Sequence, residues 1–141
     1  MSAEEEKALT GGCLCGAVRY EIEGAPKGDV AHCHCSMCRR AAGSVAVTWF
    51  TIDPARLTFT QGAPARYRSS EKGERTFCGA CGSPLTFWHA EFPDDLDVTL
   101  GTLDRPEDMP ATLNIWTQSR LPWLHLDEHL PDREDAGDAA P

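Results

Sequence analysis

The segment His32-Cys33-His34-Cys35-Ser36-Met37-Cys38-Arg39-Arg40 puts three cysteines within six residues. Cys33 and Cys35 stand two apart, so on a continuous strand their side chains share a face. Cys38 follows after two more residues, the step at which a tight knuckle brings two thiols to one metal ion. The segment therefore offers three sulfurs to one point and no evident fourth. Three protein ligands leave one coordination position for a reactant, the arrangement of a catalytic zinc site, whereas a structural site is closed by four. Other readings compete. A Cys33–Cys35 disulfide closes a very small loop against demanding bridge geometry. Inert buried cysteines occur singly rather than three together. A redox Cys-x-x-Cys pair, Cys35 with Cys38, is the serious alternative, although the text around it does not read as the βαβ unit that such a motif favours. Metal binding is the reading the spacing supports best.

Around this segment lies a chain of 141 residues, most simply one domain and long enough to bury a core. Hydrophobic residues make up 41%, in the range of a soluble globular chain. Seven cysteines is an odd number, so a complete disulfide framework leaves one over. Met1 to Lys7 lacks the basic-then-apolar pattern of a signal peptide, and no apolar run approaches membrane-spanning length. These features place the thiols in a reducing compartment, the cytoplasm, where clustered cysteines mean metal or catalysis. The net charge of −9 disfavours nucleic acid as a partner, since phosphate binding relies on Lys and Arg. Much of the negative charge sits at Glu4 to Glu6 and between Asp127 and Asp138. The middle is more basic, with Arg39, Arg40, Arg66, Arg68, Lys72 and Arg75 read mostly as ordinary surface charge.

Residues 1–9 are charged and unpatterned, a loose leader. Gly11-Gly12-Cys13-Leu14-Cys15-Gly16 then sets glycines on both sides of a Cys-x-Cys, letting the backbone turn tightly around a ligand. Ala17 to Ile22 alternates apolar and polar as a half-buried strand. Val30 to His34 reads as a strand that delivers the chain into the central segment. Ser36 to Ala42 is expected as a short helix with Ser36 as its N-cap and Gly43 as its end. Its first N–H groups then point at the thiolates and help to stabilise them. Val45 to Ile52, Leu57 to Thr60, Ala65 to Ser69, Leu85 to His89, Leu96 to Leu103 and Thr112 to Thr117 read as further strands, with Glu71 to Glu74 a polar turn. Pro122 to Leu126 reads as a final turn packed on the body. Residues 131–141, acidic and rich in Ala and Pro, read as a disordered tail. Many short strands with one or two short helices make the chain mainly β.

Thr76-Phe77-Cys78-Gly79-Ala80-Cys81-Gly82-Ser83-Pro84-Leu85 carries a Cys-x-x-Cys with glycine inside it and after it, the usual build of a zinc knuckle. If Cys33, Cys35 and Cys38 form one site, then Cys13, Cys15, Cys78 and Cys81 remain, and together they suit a tetrahedral structural zinc. That clasp joins the start of the chain to a segment about sixty residues later. In zinc-finger peptides such a site contributes folding energy on the order of 10 kcal/mol. A rival split lends part of the central trio to the late pair and strands Cys13 and Cys15. Four plus three is preferred because it leaves no thiol over.

Gly11 to Tyr20, Cys33 to Arg39 and Phe77 to Leu85, with a closing motif Ser119-Arg120-Leu121-Pro122-Trp123, resemble the glutathione-dependent formaldehyde-activating enzyme family in order and spacing. The likeness runs from about Thr10 to Pro131, and centromere protein V carries a domain of the same kind. The resemblance implies a β-tent of short antiparallel sheets around zinc sites, a domain over residues 10–130. It also implies two zinc ions per chain: a structural one on Cys13, Cys15, Cys78 and Cys81, and a catalytic one on Cys33, Cys35 and Cys38. The activity it implies is that of a carbon–sulfur lyase joining formaldehyde and glutathione into S-hydroxymethylglutathione. Where the family favours His before Ile in the last strand, this chain has Asn114, a departure expected at the rim of the active site and bearing on substrate identity.

A thiol taken up at a three-thiolate zinc loses its proton at neutral pH, and the thiolate adds to an aldehyde carbon. Lewis-acid action on the carbonyl is the weaker route, because three thiolates overcompensate the charge of the ion. A low-molecular-weight thiol and a small aldehyde are thus the expected partners. Arg39 and Arg40 follow the last ligand and are candidates to offset that surplus or to hold a substrate carboxylate, against the plain reading of two solvent-facing arginines. Trp49 is a candidate wall of a small-molecule cleft, although it, Phe50 and Trp116 suit a core as well. His32 and His34 alternate with the cysteines and face the other side of a strand, as core or supporting residues rather than ligands. His89, His125 and His129 carry no companion signal. Two further classes stay open. A zinc-stabilised binding module is disfavoured by the acidic charge and the three-ligand site. A thiol redox or metal-buffering protein needs Cys35 and Cys38 to cycle.

Overall fold

Short runs of alternating side chains become ten strands and one α-helix in a computed structural model that describes residues 8–135. β1 (Leu9–Gly12), β2 (Arg19–Ile22) and β5 (Leu57–Gln61) form a small antiparallel sheet in the order β1-β2-β5. The remaining strands are β3 (Lys27–Cys33), β4 (Val47–Ile52), β6 (Ala65–Arg68), β7 (Gly73–Phe77), β8 (Pro84–His89), β9 (Leu96–Thr99) and β10 (Leu113–Ile115). They make a seven-stranded sheet in the order β10-β3-β4-β9-β8-β7-β6. Its neighbours are antiparallel except that β10 runs parallel to β3. The helix α1 (Ser36–Ala42) connects β3 to β4. The chain is mainly β, as the strand spacing predicts.

The large sheet separates two interiors. Phe50 and Val98 are cross-strand partners on one face, and with Ile52 they pack against Val18, Tyr20 and Ile22. Each of these side chains is at most 2% exposed, and burial of this kind is worth about 1.5–3 kcal/mol per large apolar side chain. Trp49 and Val47, which alternate with Phe50, face the other way and pack with Phe87, Cys33, Cys35 and Cys38. A chain of hydroxyls ties the two sheets together: Tyr20 Oη lies 2.8 Å from Thr102 Oγ1, which lies 2.9 Å from Thr99 Oγ1, and Thr99 donates to Pro84 O at 2.9 Å.

Several sequence expectations are corrected here. β1 and β7 run through stretches that glycine and charge marked as leader or turn. At Gly11 a side chain would collide with Tyr20 and Thr102, so the glycine serves close packing rather than a bend. β3 ends at Cys33, so Cys33 and Cys35 do not share a strand face. Instead His34 N donates to Ile115 O at 3.0 Å, and Cys35 turns the chain into α1. The N-cap is Cys35 and not Ser36: its sulfur accepts from Cys38 N at 3.2 Å, and Ser36 is the first helical residue. The strand expected through Leu103 stops at Thr99 and passes into a 3-10 turn, Leu100–Thr102. Pro131 to Asp135, read as part of a loose tail, lie against β10: Asn114 N donates to Pro131 O at 2.9 Å and Arg133 N to Asn114 O at 2.8 Å. Residues 1–7 of the leader and 136–141 of the tail fall outside the described residues. Among the described residues no helix is long and apolar enough to cross a membrane.

Candidate metal centres

Two matched knuckles build the first centre. After β1, Gly16 N donates to Cys13 O at 3.3 Å and Val18 N to the Cys13 sulfur at 3.3 Å. Between β7 and β8, Gly82 N donates to Cys78 O at 2.8 Å and Cys81 N to the Cys78 sulfur at 3.4 Å. Both turns use a glycine in the left-handed region, Gly16 at φ 83° and Gly82 at φ 83°. The sulfurs of Cys13, Cys15, Cys78 and Cys81 all lie within 4.8 Å of one another, with Cys13–Cys15 at 3.6 Å and Cys15–Cys78 at 3.8 Å. Thiolates at about 2.3 Å around a tetrahedral ion stand about 3.8 Å apart, so the set fits such an ion. Ser83 braces it by accepting from Leu14 N at 3.0 Å and lying 3.2 Å from the Cys81 sulfur. Its hydroxyl and backbone hydrogen bonds bring the Cys81 thiol down to about 5.

The second centre comes from one stretch of chain. Cys33 closes β3, Cys35 caps α1 and Cys38 sits in its first turn. Their sulfurs lie within 4.8 Å of one another, Cys33 to Cys38 at 3.7 Å, and their exposures are 2%, 5% and 3%. All seven cysteines are free thiols, and the fold gathers them as four plus three. Bonds from Cys33 and Cys38, followed by the Cys38 N–H and the Arg75 charge, hold Cys35 down at about 3. Cys33 is pushed far above its ordinary value by its bonds to Cys35 and Cys38 and by burial. Cys38 gains from its bond with Cys33, but Cys35 and burial push it up overall. Three sulfurs this close and this buried oppose one another's ionisation. Three thiolates at once call for a cation, which makes the trio a fitting metal donor set.

The arginine that meets this trio is Arg75, which the sequence reading left among surface charges. Its Nη2 donates to the Cys38 sulfur at 3.6 Å, its guanidinium stands 4.8 Å from the Phe87 ring centre, and it is 8% exposed. Alternation along Gly73, Arg75 and Phe77 is the signal that carries it, masked by the polar residues just before. Arg40 and Trp49, both candidate substrate contacts, line a groove of 710 Å³ whose wall also includes Cys38, Tyr67, Ser69 and Arg75. Arg39 is not among the lining residues; its carbonyl accepts from Gly43 N at 2.8 Å and closes the helix.

Asn114 is not at the rim. It is 1% exposed, its Oδ1 lies 2.9 Å from His34 Nε2, and its Nδ2 donates to Leu126 O at 3.3 Å. His32 has Nδ1 2.7 Å from Thr48 Oγ1 and Nε2 2.5 Å from Asp127 Oδ2, and neither early histidine belongs to a thiol cluster. His89, His125 and His129 belong to neither thiol cluster. Three buried polar side-chain atoms lack a partner among the described residues: His34 Nδ1, Ser69 Oγ and Trp116 Nε1. His34 sits between two trio cysteines, Ser69 lines the groove, and Trp116 packs on the trio's apolar surround. Interiors leave few such atoms unsatisfied.

The fold and its sites define a mainly β protein organised by two thiol clusters suited to metal ions, one closed and clasping both sheets, the other open to a groove. The model of the glutathione-dependent formaldehyde-activating enzyme family matches residues 8–119, and the chain belongs to that family. A Halomonas elongata protein provisionally named as a glutathione-dependent formaldehyde-activating enzyme is 26% identical over 140 residues, covering 92% of this chain and 87% of its own. A crystal structure of a Rhodobacter sphaeroides protein shares the fold with a TM-score of 0.58 at 21% identity, over 87% of this chain and 98% of that one.

Proposed function

We propose that this chain is a zinc-dependent carbon–sulfur lyase that adds a low-molecular-weight thiol, glutathione or one like it, to a small aldehyde such as formaldehyde. The observation that carries the reading is the position of Cys38, at once a member of the buried trio and part of the groove wall. Cys33, Cys35 and Cys38 would hold the catalytic zinc, and Cys13, Cys15, Cys78 and Cys81 the structural one. The catalytic ion would supply acidification of a substrate thiol at neutral pH. The chain's own residues do the rest. Val47 and Trp49 give the groove an apolar wall that keeps water from the reacting atoms. Arg40 stands on the same wall to receive a carboxylate of the thiol. In the addition, the sulfur electron pair forms the C–S bond and the carbonyl π pair moves to oxygen. That oxygen ends with the proton the thiol gave up, so neither oxidant nor reductant is needed. The chemistry suits a cytoplasmic protein.

The test is zinc content of protein purified without chelator, beside a Cys35→Ser variant, followed by a screen of thiols and aldehydes for the hydroxyalkyl thioether by NMR. Two zinc ions falling to one with the fold kept, and adduct formation accelerated above the uncatalysed rate by the parent and not by the variant, are expected. One zinc in both forms would turn the reading towards a redox or binding role. No zinc in either would end it.

A further inference from the structure

We propose that Arg75 is a positioning residue for the three-thiol centre: its buried guanidinium is the counter-charge that lets Cys33, Cys35 and Cys38 hold a metal ion as three thiolates. The inference rests on the metal reading of that trio. Three thiolates exceed the charge of a divalent ion by one, and at exposures of 2%, 5% and 3% water does little to spread the surplus. Arg75 presents the converse difficulty. Among the described residues its side chain meets no carboxylate in an ion pair; it meets the Cys38 sulfur at 3.6 Å and the Phe87 ring. A buried guanidinium without an anion is costly.

The register shows where its charge is spent. Arg75, Phe87 and Asp97 are successive cross-strand partners, so they form one row on one face of the large sheet. Asp97, the carboxylate of that row, takes a hydrogen bond from Thr51 Oγ1 at 2.6 Å and lies beyond the Phe87 ring. Asp97 stands within electrostatic reach of Arg75 across that ring, but the anionic group that the guanidinium touches is the Cys38 sulfur, so the surplus charge of the trio and this cation are direct partners. A planar guanidinium also lies flat on an aromatic ring while its edge donates to sulfur, which a lysine ammonium does less well. Arg39 and Arg40, next to Cys38 in sequence, send no side-chain hydrogen bond to a trio sulfur among the described residues; Arg39 meets Cys35 through its backbone N–H alone, at 3.0 Å from the Cys35 carbonyl, and Arg40 is exposed on the groove wall.

The test compares Arg75→Gln and Arg75→Lys with the parent, each loaded with zinc and challenged with a chelator, the four-thiol site serving as internal reference. Cobalt-substituted protein gives a second readout in the sulfur-to-metal charge-transfer band. Arg75→Gln is expected to release the trio's metal roughly ten- to hundred-fold more readily, the usual range for groups that support a ligand, with the reference site unchanged and the band shifted. Arg75→Lys, which keeps the charge, is expected to recover most of that loss. Parent-like retention in Arg75→Gln overturns the proposal, and so does a loss in Arg75→Lys as deep as in Arg75→Gln, which assigns the residue to packing on Phe87. If Arg75→Gln loses both metals with its fold, Arg75→Lys decides: retention within about tenfold of the parent supports the role and a deeper loss overturns it. A parent that never binds metal at the trio would instead remove the metal reading itself.

Discussion

His34 Nε2 lies 2.9 Å from Asn114 Oδ1, with both side chains 1% exposed. Because Asn114 Nδ2 donates to Leu126 O, its Oδ1 is the acceptor, and His34 carries its proton on Nε2. One amide thereby joins the three-thiol segment, β10 and the closing stretch at Leu126. Asn114→Ala leaves a buried imidazole N–H and a carbonyl without partners, at about 2–4 kcal/mol. Thermal unfolding should show a melting temperature lower by roughly 10 °C. An unchanged melting curve would show that water replaces the amide at no cost.

Arg39 and Arg40 are adjacent in sequence and separated in role, since only Arg40 lines the groove. Arg40→Ala is expected to raise KM for a carboxylate-bearing thiol roughly three- to ten-fold with kcat little changed, the loss of an exposed charge-assisted contact. Arg39→Ala should leave both constants within twofold of the parent, taking twofold as about the scatter of surface substitutions. Equal effects of the two variants would count against the groove as the thiol site.

Metal removal should act differently at the two centres. The four-thiol set joins the turn after β1 to the turn after β7, so Cys81→Ser or chelation there opens the junction of the two sheets and costs several kcal/mol, on the order found for structural zinc. Cys38→Ser removes a ligand from a site built within one segment and should leave the near-UV dichroism of the fold in place. Calorimetry of both variants checks the contrast; equal destabilisation would deny the closed site its clasping role.

Burial pushes the Asp97 carboxyl up to about 6 from an ordinary 3.8. A folded-state value above the unfolded one means that ionisation opposes folding: stability falls as pH rises from about 4 through about 6 and is level beyond. Asp97→Asn keeps an oxygen to accept from Thr51 and carries no charge. It should stabilise the protein by about 1–2 kcal/mol near neutral pH, an advantage that fades towards pH 4. Paired urea titrations of parent and variant at both ends of that window give the test. A constant difference across it would place the cause elsewhere.

The two thiol clusters are legible in the sequence because ligand spacing is local: Cys-x-Cys, Cys-x-x-Cys and their glycines dictate turns wherever the fold puts them. Their joining as four plus three follows from counting. Arg75 is not legible in this way, since β7 is only five residues long and opens on Gly73, and only the pairing with Phe87 turns its charge inward. Cys35 as a helix cap escapes a reading that knows only oxygen caps, although a sulfur at that position accepts the same N–H. Asn114 reads as a rim residue until the parallel β10–β3 pairing, a contact between segments about eighty residues apart, buries it.

β10 is an edge of the large sheet only three residues long, and Asp132 bridges Asn114 on its outer side. At the opposite edge, β6 presents the exposed charges of Arg66 and Arg68. An uncovered strand edge is a template on which other chains add themselves, and here one edge is capped by backbone and the other by charge. A chain shortened to end before Pro131 would lose its guard on the β10 side. Self-association, and not loss of catalysis, is the first harm to expect from clipping that end.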